Sequence, residues 1–142
     1  MSINHWIVKN LVCTLFLVVG GLNIYAQKDK YLIEAEAFQF KGKWSTDRTA
    51  DCMGSAMLRL NGGGSLDEQF DALTVVNIME EGDYNVWVRS ADYDKLPGTR
   101  LFRLSVDEKP MKESGKHGKV GFYWENAGCV QLAKKQVLLR TA

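Results

Sequence analysis

Two glutamates, Glu34 and Glu36, sit two residues apart in the segment Tyr31–Phe38, YLIEAEAF. The segment reads as a β-strand. On a strand, side chains two apart leave the same face, with α-carbons about 6.5–7 Å apart. Leu32 and Phe38 flank the pair on that face. Two like charges so close to each other and to apolar groups cost free energy. A divalent cation removes the cost, and calcium accepts carboxylates within a flexible shell of six to eight oxygens. Two other readings stand beside this one. The face is solvated and the glutamates keep an edge strand soluble, or the carboxylates form a general acid/base pair.

Aromatic side chains are the second source of chemistry. Trp44, Trp87, Tyr93, Phe122, Tyr123 and Trp124 are spread along the chain. A sugar exposes C–H patches that stack on rings, and its hydroxyls need planar donors and acceptors close by. Trp44 lies in the polar stretch Lys41–Asp51 with Thr46, Asp47 and Arg48, Trp124 precedes Glu125 and Asn126, and Tyr93 sits between Asp92 and Asp94. Trp44, Trp124, Tyr93 and Asn126 are therefore candidate ligand contacts. The competing role is core filling, because each ring buries a large area. Trp87, inside a strand pattern, is assigned to structure on that ground.

Other chemistries lack their motifs. No Gly-x-Ser-x-Gly elbow accompanies His117, which lies in the basic turn GKHGK, and NGGGS lacks the spacing of a dinucleotide fingerprint. There is no phosphate-binding loop sequence and no Cys-x-x-Cys. Carboxylate pairs for glycoside hydrolysis can be drawn from many acids, but none has a motif. The chain is expected to be non-catalytic.

The elements that must position these residues begin after the first 26. Lys9, the apolar run Leu11–Gly21 and the small residue Ala26 have the layout of a secretory signal peptide, with 27–142 as the folded domain. The expected location is the periplasm or the medium, with no membrane association after cleavage. Removing 1–26 takes away Lys9 and no acid, which leaves seventeen side chains of each sign. A neutral domain offers little electrostatic capture of nucleic acid. Cys52 and Cys129 remain, as a disulfide or as two small buried hydrophobes.

Period-two apolar patterns recur between turn residues: Ser55–Leu60, Leu73–Met79, Tyr84–Ala91, Arg100–Val106, Val120–Glu125, Cys129–Leu132 and Gln136–Arg140. Leu73–Met79 and Tyr84–Ala91 read as the arms of a hairpin across Glu81-Gly82-Asp83. Short strands at this spacing predict an all-β sandwich. Within Tyr84–Ala91, Tyr84, Val86 and Val88 form the core face; Asn85, Trp87 and Arg89 form the other, partly buried face.

YLIEAEAF, together with EEGDYNVWVRSADY, resembles the opening strand and the Gly-x-Tyr-x-Val-x-Val-Arg hairpin of carbohydrate-binding modules of families 6 and 35. The order of IEAEAF, VWVRS, VDEKP and a tryptophan before GCVQL is also similar to the β-sandwich region of secreted bacterial FAD-dependent-oxidoreductase-like proteins. The resemblance spans about Tyr31 to Arg140. It implies a jelly-roll β-sandwich (galactose-binding-like) that binds carbohydrate or serves a catalytic domain of a longer protein. It also implies a structural calcium held by Glu34 and Glu36. The related modules end in one more strand, bearing an aspartate that completes the ion site; this sequence stops before it, so the expectation is a domain truncated at its C-terminus.

Overall fold

A computed structural model describes residues 30–48, 56–60 and 71–142. The expected signal peptide and Cys52 lie outside the described residues. No helix among those residues is long and apolar enough to cross a membrane.

The described chain is almost entirely antiparallel β. Strands β3 (Ala72–Asn77) and β8 (Gln136–Thr141) pair from Ala72↔Thr141 to Asn77↔Gln136. β5 (Leu104–Val106) takes the other edge of β8, and the two-residue β6 (Lys109–Pro110) closes that side. Pro110 suits an edge because proline has no N–H to give a further strand. A second sheet joins β4 (Gly82–Ala91) to β7 (Phe122–Leu132), and a third, short one joins β1 (Trp44–Asp47) to β2 (Met57–Leu60). Apolar residues at alternate positions of both main sheets meet between them. Ala72, Val106, Val137 and Leu139 come from one side; Val130 and Leu132, with Tyr84 and Val86 packed against them, come from the other. Phe38 and Ile78 complete the core. This is the expected all-β sandwich.

Four local expectations are corrected. Tyr31–Phe38 is not a strand. Ala35–Ala37 forms a 3₁₀ turn, with Ala37 N–H donating to Glu34 O (3.0 Å) and Phe38 N–H to Ala35 O (3.1 Å). Alanine and glutamate favour helical backbone and are depleted in strands, so an alternating pattern alone misassigned the segment. Trp44 begins β1 rather than lying in a loop. The sixth and seventh expected strands, Val120–Glu125 and Cys129–Leu132, are one continuous β7. Of Arg100–Val106 only Leu104–Val106 is a strand, because Phe102 makes just an isolated bridge, to Ser114.

The hairpin expectation also fails. β3 pairs with β8 and β4 with β7, so 78–81 carries the chain from one sheet to the other. Ala133–Lys135 crosses back beside it, and Ile78 N–H donates to Lys135 O (2.9 Å). Tyr31 and Tyr84 fasten the same crossing: Tyr31 Oη accepts from Met79 N–H (2.8 Å), and Tyr84 Oη donates to Glu80 O (2.6 Å). A turn sequence states that the chain reverses, not which sheet receives it.

The β5–β6 connection is a true two-residue hairpin. Asp107 and Glu108 both have positive φ, 52° and 67°, as a type I′ turn requires. Glu108 holds its Cβ in a conformation that costs a non-glycine residue about 1–2 kcal/mol. Glu108→Gly is expected to raise stability by about 0.5–1 kcal/mol, relief of that strain outweighing glycine's looser unfolded chain. Urea denaturation checks it; an unchanged or lower midpoint would show that the turn is not strained.

Candidate functional site

Opposed residues of an antiparallel pair share a face. Along β4 and β7, Arg89↔Trp124, Ala91↔Phe122 and Trp87↔Asn126 are opposed. All six turn away from the core. Trp87 is 54% and Trp124 50% exposed. The Arg89 guanidinium lies over the Phe122 ring, 4.4 Å from its centroid. The face therefore carries two open indoles, a side-chain amide and a ring-stacked cation.

A β-bulge makes this face. Val86 opposes Gly128, yet Trp87 opposes Asn126, so Ala127 is the extra residue. Ala127 turns inward and is 1% exposed. Side chains alternate faces along a strand, so one extra residue exchanges the faces of everything beyond it. Without the bulge, Trp124 would oppose Ser90 on the inner side.

Beyond the strands the loops are gathered by Asp92, which is 5% exposed. Its Oδ1 accepts from the N–H groups of Tyr93 (2.7 Å) and Arg100 (3.3 Å), and its Oδ2 from those of Gly98 (2.6 Å) and Gly118 (2.8 Å). Burial opposes the charged form, but the four amides outweigh it and hold the carboxyl far below the usual carboxylate range. Gly98 and Gly118 have φ of 82° and 73°, where a side chain would be strained. One carboxylate thus ties the 92–100 loop to the 115–119 loop. Glu125 makes a second tie: its Oε2 accepts from Ser90 Oγ and from Gly115 N–H, both at 2.9 Å. His117 Nδ1 accepts from Lys119 N–H (3.1 Å), so the ring proton sits on Nε2, 3.2 Å from Ser90 O. Its ring packs on Tyr123, and the Lys119 ammonium lies 4.7 Å from the centroid of the same Tyr123 ring. Arg100 lies over Tyr93 at 5.2 Å.

The residues singled out from sequence divide among three places. Trp124 and Asn126 are on the open face, and Tyr93 is on the adjoining Asp92-held loop. Trp44 is elsewhere: it packs against the core, with its Nε1 buried and without a hydrogen-bond partner among the described residues. Glu34 and Glu36 do not share a strand face, because in a turn of about three residues positions two apart diverge. Glu34 is exposed; Glu36 is half-buried, and its Oε1 is shielded from solvent with no hydrogen-bond partner among the described residues. Among the described residues no three His, Cys, Asp or Glu side chains gather in a group that could hold a metal ion. Cys129 is a free, exposed thiol opposite Asn85, not a small buried hydrophobe.

Sequence reasoning missed Trp87, which it assigned to structure. The signal was present in the alternation Asn85, Trp87, Arg89, whose polar members mark an outward face. Also unforeseen is a shallow cleft of about 280 Å³ on the far sheet, lined by Phe40, Asp71, Leu73, Leu138 and Arg140. Asp71 is 2% exposed there, and two Arg140 nitrogens contact its Oδ2. Its Oδ1 has no hydrogen-bond partner among the described residues.

No family model and no curated protein matches the sequence. Solved structures do match the fold. One is a Podospora anserina GH26-CBM35 β-(1,4)-mannanase, with a TM-score of 0.58, 15% identity, and 77% of this chain covered against 23% of the mannanase. Another is a Paenibacillus sp. cycloisomaltooligosaccharide glucanotransferase complexed with cycloisomaltoheptaose, with a TM-score of 0.54, 19% identity, and 81% of this chain against 16% of that one. The chain spans about a fifth of each of these larger enzymes. The fold is a β-sandwich of the kind found in carbohydrate-active enzymes.

Asp92 supplies a pH test. Its folded-state pKa is depressed, so its contribution is complete above the ordinary carboxylate range, about pH 4, and fades as pH falls towards the folded value. Asp92→Asn is expected to melt below the wild type at neutral pH, with the gap narrowing steadily below about pH 4. Thermal melts of both proteins across that range check this, and a gap independent of pH would show that the charge is not what holds the loops.

Proposed function

We propose that this chain is an exported, non-catalytic carbohydrate-binding domain, part of or accessory to a polysaccharide-degrading enzyme. The observation that carries the proposal is the pair of half-exposed tryptophans, Trp87 and Trp124, on one face with Asn126 of β7 opposite Trp87. Ring faces of this kind stack on the C–H surface of a sugar, and Asn126 offers a planar donor and acceptor to its hydroxyls. Likeness of fold to parts of a mannanase and a glucanotransferase supports the carbohydrate class. The open face suits a polymer that passes across it better than a small molecule that must be enclosed.

β-(1,4)-Mannan and isomalto-type α-glucan are the first ligands to test. Trp124→Ala and Trp87→Ala are each expected to weaken retention by about tenfold, the loss of a stacking contact worth about 1–2 kcal/mol. Trp44→Ala is expected instead to lower the melting temperature, because that indole packs against the core. Affinity electrophoresis and thermal melts separate the two effects. A Trp87→Ala, Trp124→Ala double variant that binds like the wild type would sink the reading.

The proposal includes a structural calcium. Glu36 fits a ligand role, since its shielded Oε1 lacks a hydrogen-bond partner among the described residues and a cation would satisfy it. With Glu34 exposed on another side of the turn, Glu36 is the stronger candidate of the two, and the remaining oxygens would come from main-chain carbonyls and water. Added calcium is expected to raise the melting temperature, chelator to lower it, and Glu36→Gln to abolish the difference. Identical melting curves with calcium and with chelator would remove the ion from the proposal.

A second reading has its own observation. Phe40, Val75 and Leu138 are exposed on the outer side of the β3–β8 sheet, at 54%, 40% and 37%. An apolar surface there suits an accessory domain that packs against a catalytic partner, of the FAD-dependent-oxidoreductase-like kind that the sequence resemblance implies.

A further inference from the structure

A sheet edge is a row of main-chain N–H and C=O groups ready to pair with another strand, and folded proteins cover or blunt such rows. Three of the four edges of the two main sheets are treated in this way. β3 meets Phe40, which exchanges two hydrogen bonds with Leu73 (3.0 and 2.7 Å). β6 presents Lys109 and Pro110. β7 receives Lys112 N–H at Ala127 O (2.9 Å). The fourth edge belongs to β4. Its ten residues pair with β7 alone, and among the described residues no main-chain hydrogen bond reaches its other side. Gly82–Ala91 contains neither proline nor lysine to blunt it. We infer that β4 is the seam of a two-fold dimer, in which the edges of two copies of this chain pair antiparallel and join their β4–β7 sheets into one sheet of four strands. The inference stands on this edge and does not depend on the carbohydrate reading.

The sequence of β4 fits a second copy and selects one register. In a two-fold antiparallel pairing, the numbers of opposed residues have a constant sum. An odd sum sets core-face residues against outer-face residues, so the alternation of faces allows only even sums. Centred on Val86, the pairing sets Val86 against the partner's Val86 and Tyr84 against the partner's Val88 on the core side. On the outer side it sets Asn85 against the partner's Trp87, and Asp83 against the partner's Arg89. Symmetry makes each of those outer pairs twice, and opposite charges directly across an antiparallel seam attract. Within the strand no like charges face each other. Centring on Trp87 instead opposes Asp83 to Ala91 and Arg89 to Asn85, which loses both ion pairs. Centring on Asn85 opposes Asp83 to Trp87 and carries Arg89 beyond the end of the strand. Arg89 is already ordered on this face by stacking over Phe122 of its own copy, which lowers the entropy lost on pairing.

The seam also joins the two outer faces. Trp87 and the partner's Trp87 become diagonal neighbours about 7–8 Å apart. Each copy then adds its Trp124 on the far side of its own β4, so two separate aromatic faces form one longer platform.

Sedimentation equilibrium of the full chain over about 1–100 µM tests the inference, because a dimer dissociates by mass action on dilution. The expected result is a monomer–dimer equilibrium, with amide hydrogen exchange in β4 slower at the concentrated end. Asp83→Arg and Arg89→Asp each set like charges across the seam twice and are expected to weaken the dimer by about tenfold. The Asp83→Arg, Arg89→Asp double variant restores opposite charges and is expected to return to within about threefold of the wild type. Melting curves of the dilute variants identify any that has lost its fold, and the exchange comparison uses the wild type alone. A chain that stays monomeric throughout overturns the inference and leaves the edge to a strand of another protein. Exchange in β4 that ignores concentration overturns it too. So does a dimer indifferent to both single changes, which would place the contact on another surface, such as the outer side of the β3–β8 sheet or residues 1–26.

Discussion

The single extra residue in β7 is the constraint on which both the core and the open face depend. At the crossing end of the sheet, Val130 and Leu132 must point inward to meet Val137 and Leu139. At the loop end, Phe122, Trp124 and Asn126 point outward. Strict alternation over eleven residues cannot satisfy both demands, because 124 and 130 have the same parity. Ala127 absorbs the mismatch. It is small enough to turn inward at 1% exposure, and Gly128 beside it has φ of 123° and sits close to the Met111 side chain, where an added Cβ would lie 3.2 Å from the Met111 methyl. The Ala-Gly pair is thus a packing requirement and a site requirement in one place.

Two buried aspartates show different solutions to the same cost. A carboxylate out of water needs partners for its lone pairs. Asp92 obtains four backbone amides from two loops, so its charge is satisfied and the loops are fixed by it. Asp71 leans on one guanidinium, Arg140, which reaches a single oxygen. The first arrangement orders the surface that adjoins Trp124. The second anchors the end of β8 where it meets β3, since Arg140 opposes Leu73. Rings and cations held by the Asp92 loops are thereby ordered in advance, which would lower the entropic cost of any contact made on this face.

The fold class was legible because period-two patterns and turn residues repeat over most of the chain. The partnership of strands was not. Nothing in the four residues between β3 and β4 says that the chain changes sheets; Ile78–Lys135 and the Tyr31 hydroxyl on Met79 settle it, and both contacts are remote in sequence. The 3₁₀ turn was hidden because Glu34, Glu36 and their alanines alternate as a strand does while favouring helix. Of the candidate site residues, Trp124, Asn126 and Tyr93, singled out by their polar neighbours, lie on or beside the open face. Trp87 was discounted because rings within strands usually serve packing, although its face had been read as only partly buried. The same rule of alternation that placed Val86 and Val88 inward put Trp87 outward. Trp44, in the most polar neighbourhood of all, packs inward from β1: flanking residues report the solvent side of a strand and say nothing of the residue between them. Asp92 drew notice only as a neighbour of Tyr93, since four amides from positions up to 26 residues away have no local signature.

The two ends of the β4–β7 sheet have separate tasks, and the distance between them keeps those tasks independent. Gly82 and Leu132 stand at the crossing end, and Ala91 and Phe122 at the loop end, about 30 Å away at the usual rise of a strand. The crossing end is closed by bonds between main chains and tyrosine hydroxyls, with Lys135 paired to Asp107 (2.7 Å) beside them. The loop end is closed by two carboxylates, Asp92, which binds only backbone N–H groups, and Glu125, which joins Ser90 to Gly115. Because Asp92 uses no side chain of Tyr93, Arg100 or Lys119, those side chains are not committed to the loop's architecture. Their identities can change while the loop conformation persists. A sandwich built this way holds its core at one end and leaves the chemistry of the other end to a few exposed positions, so fold likeness to parts of a mannanase and a glucanotransferase speaks for the scaffold and not for the residues on its face.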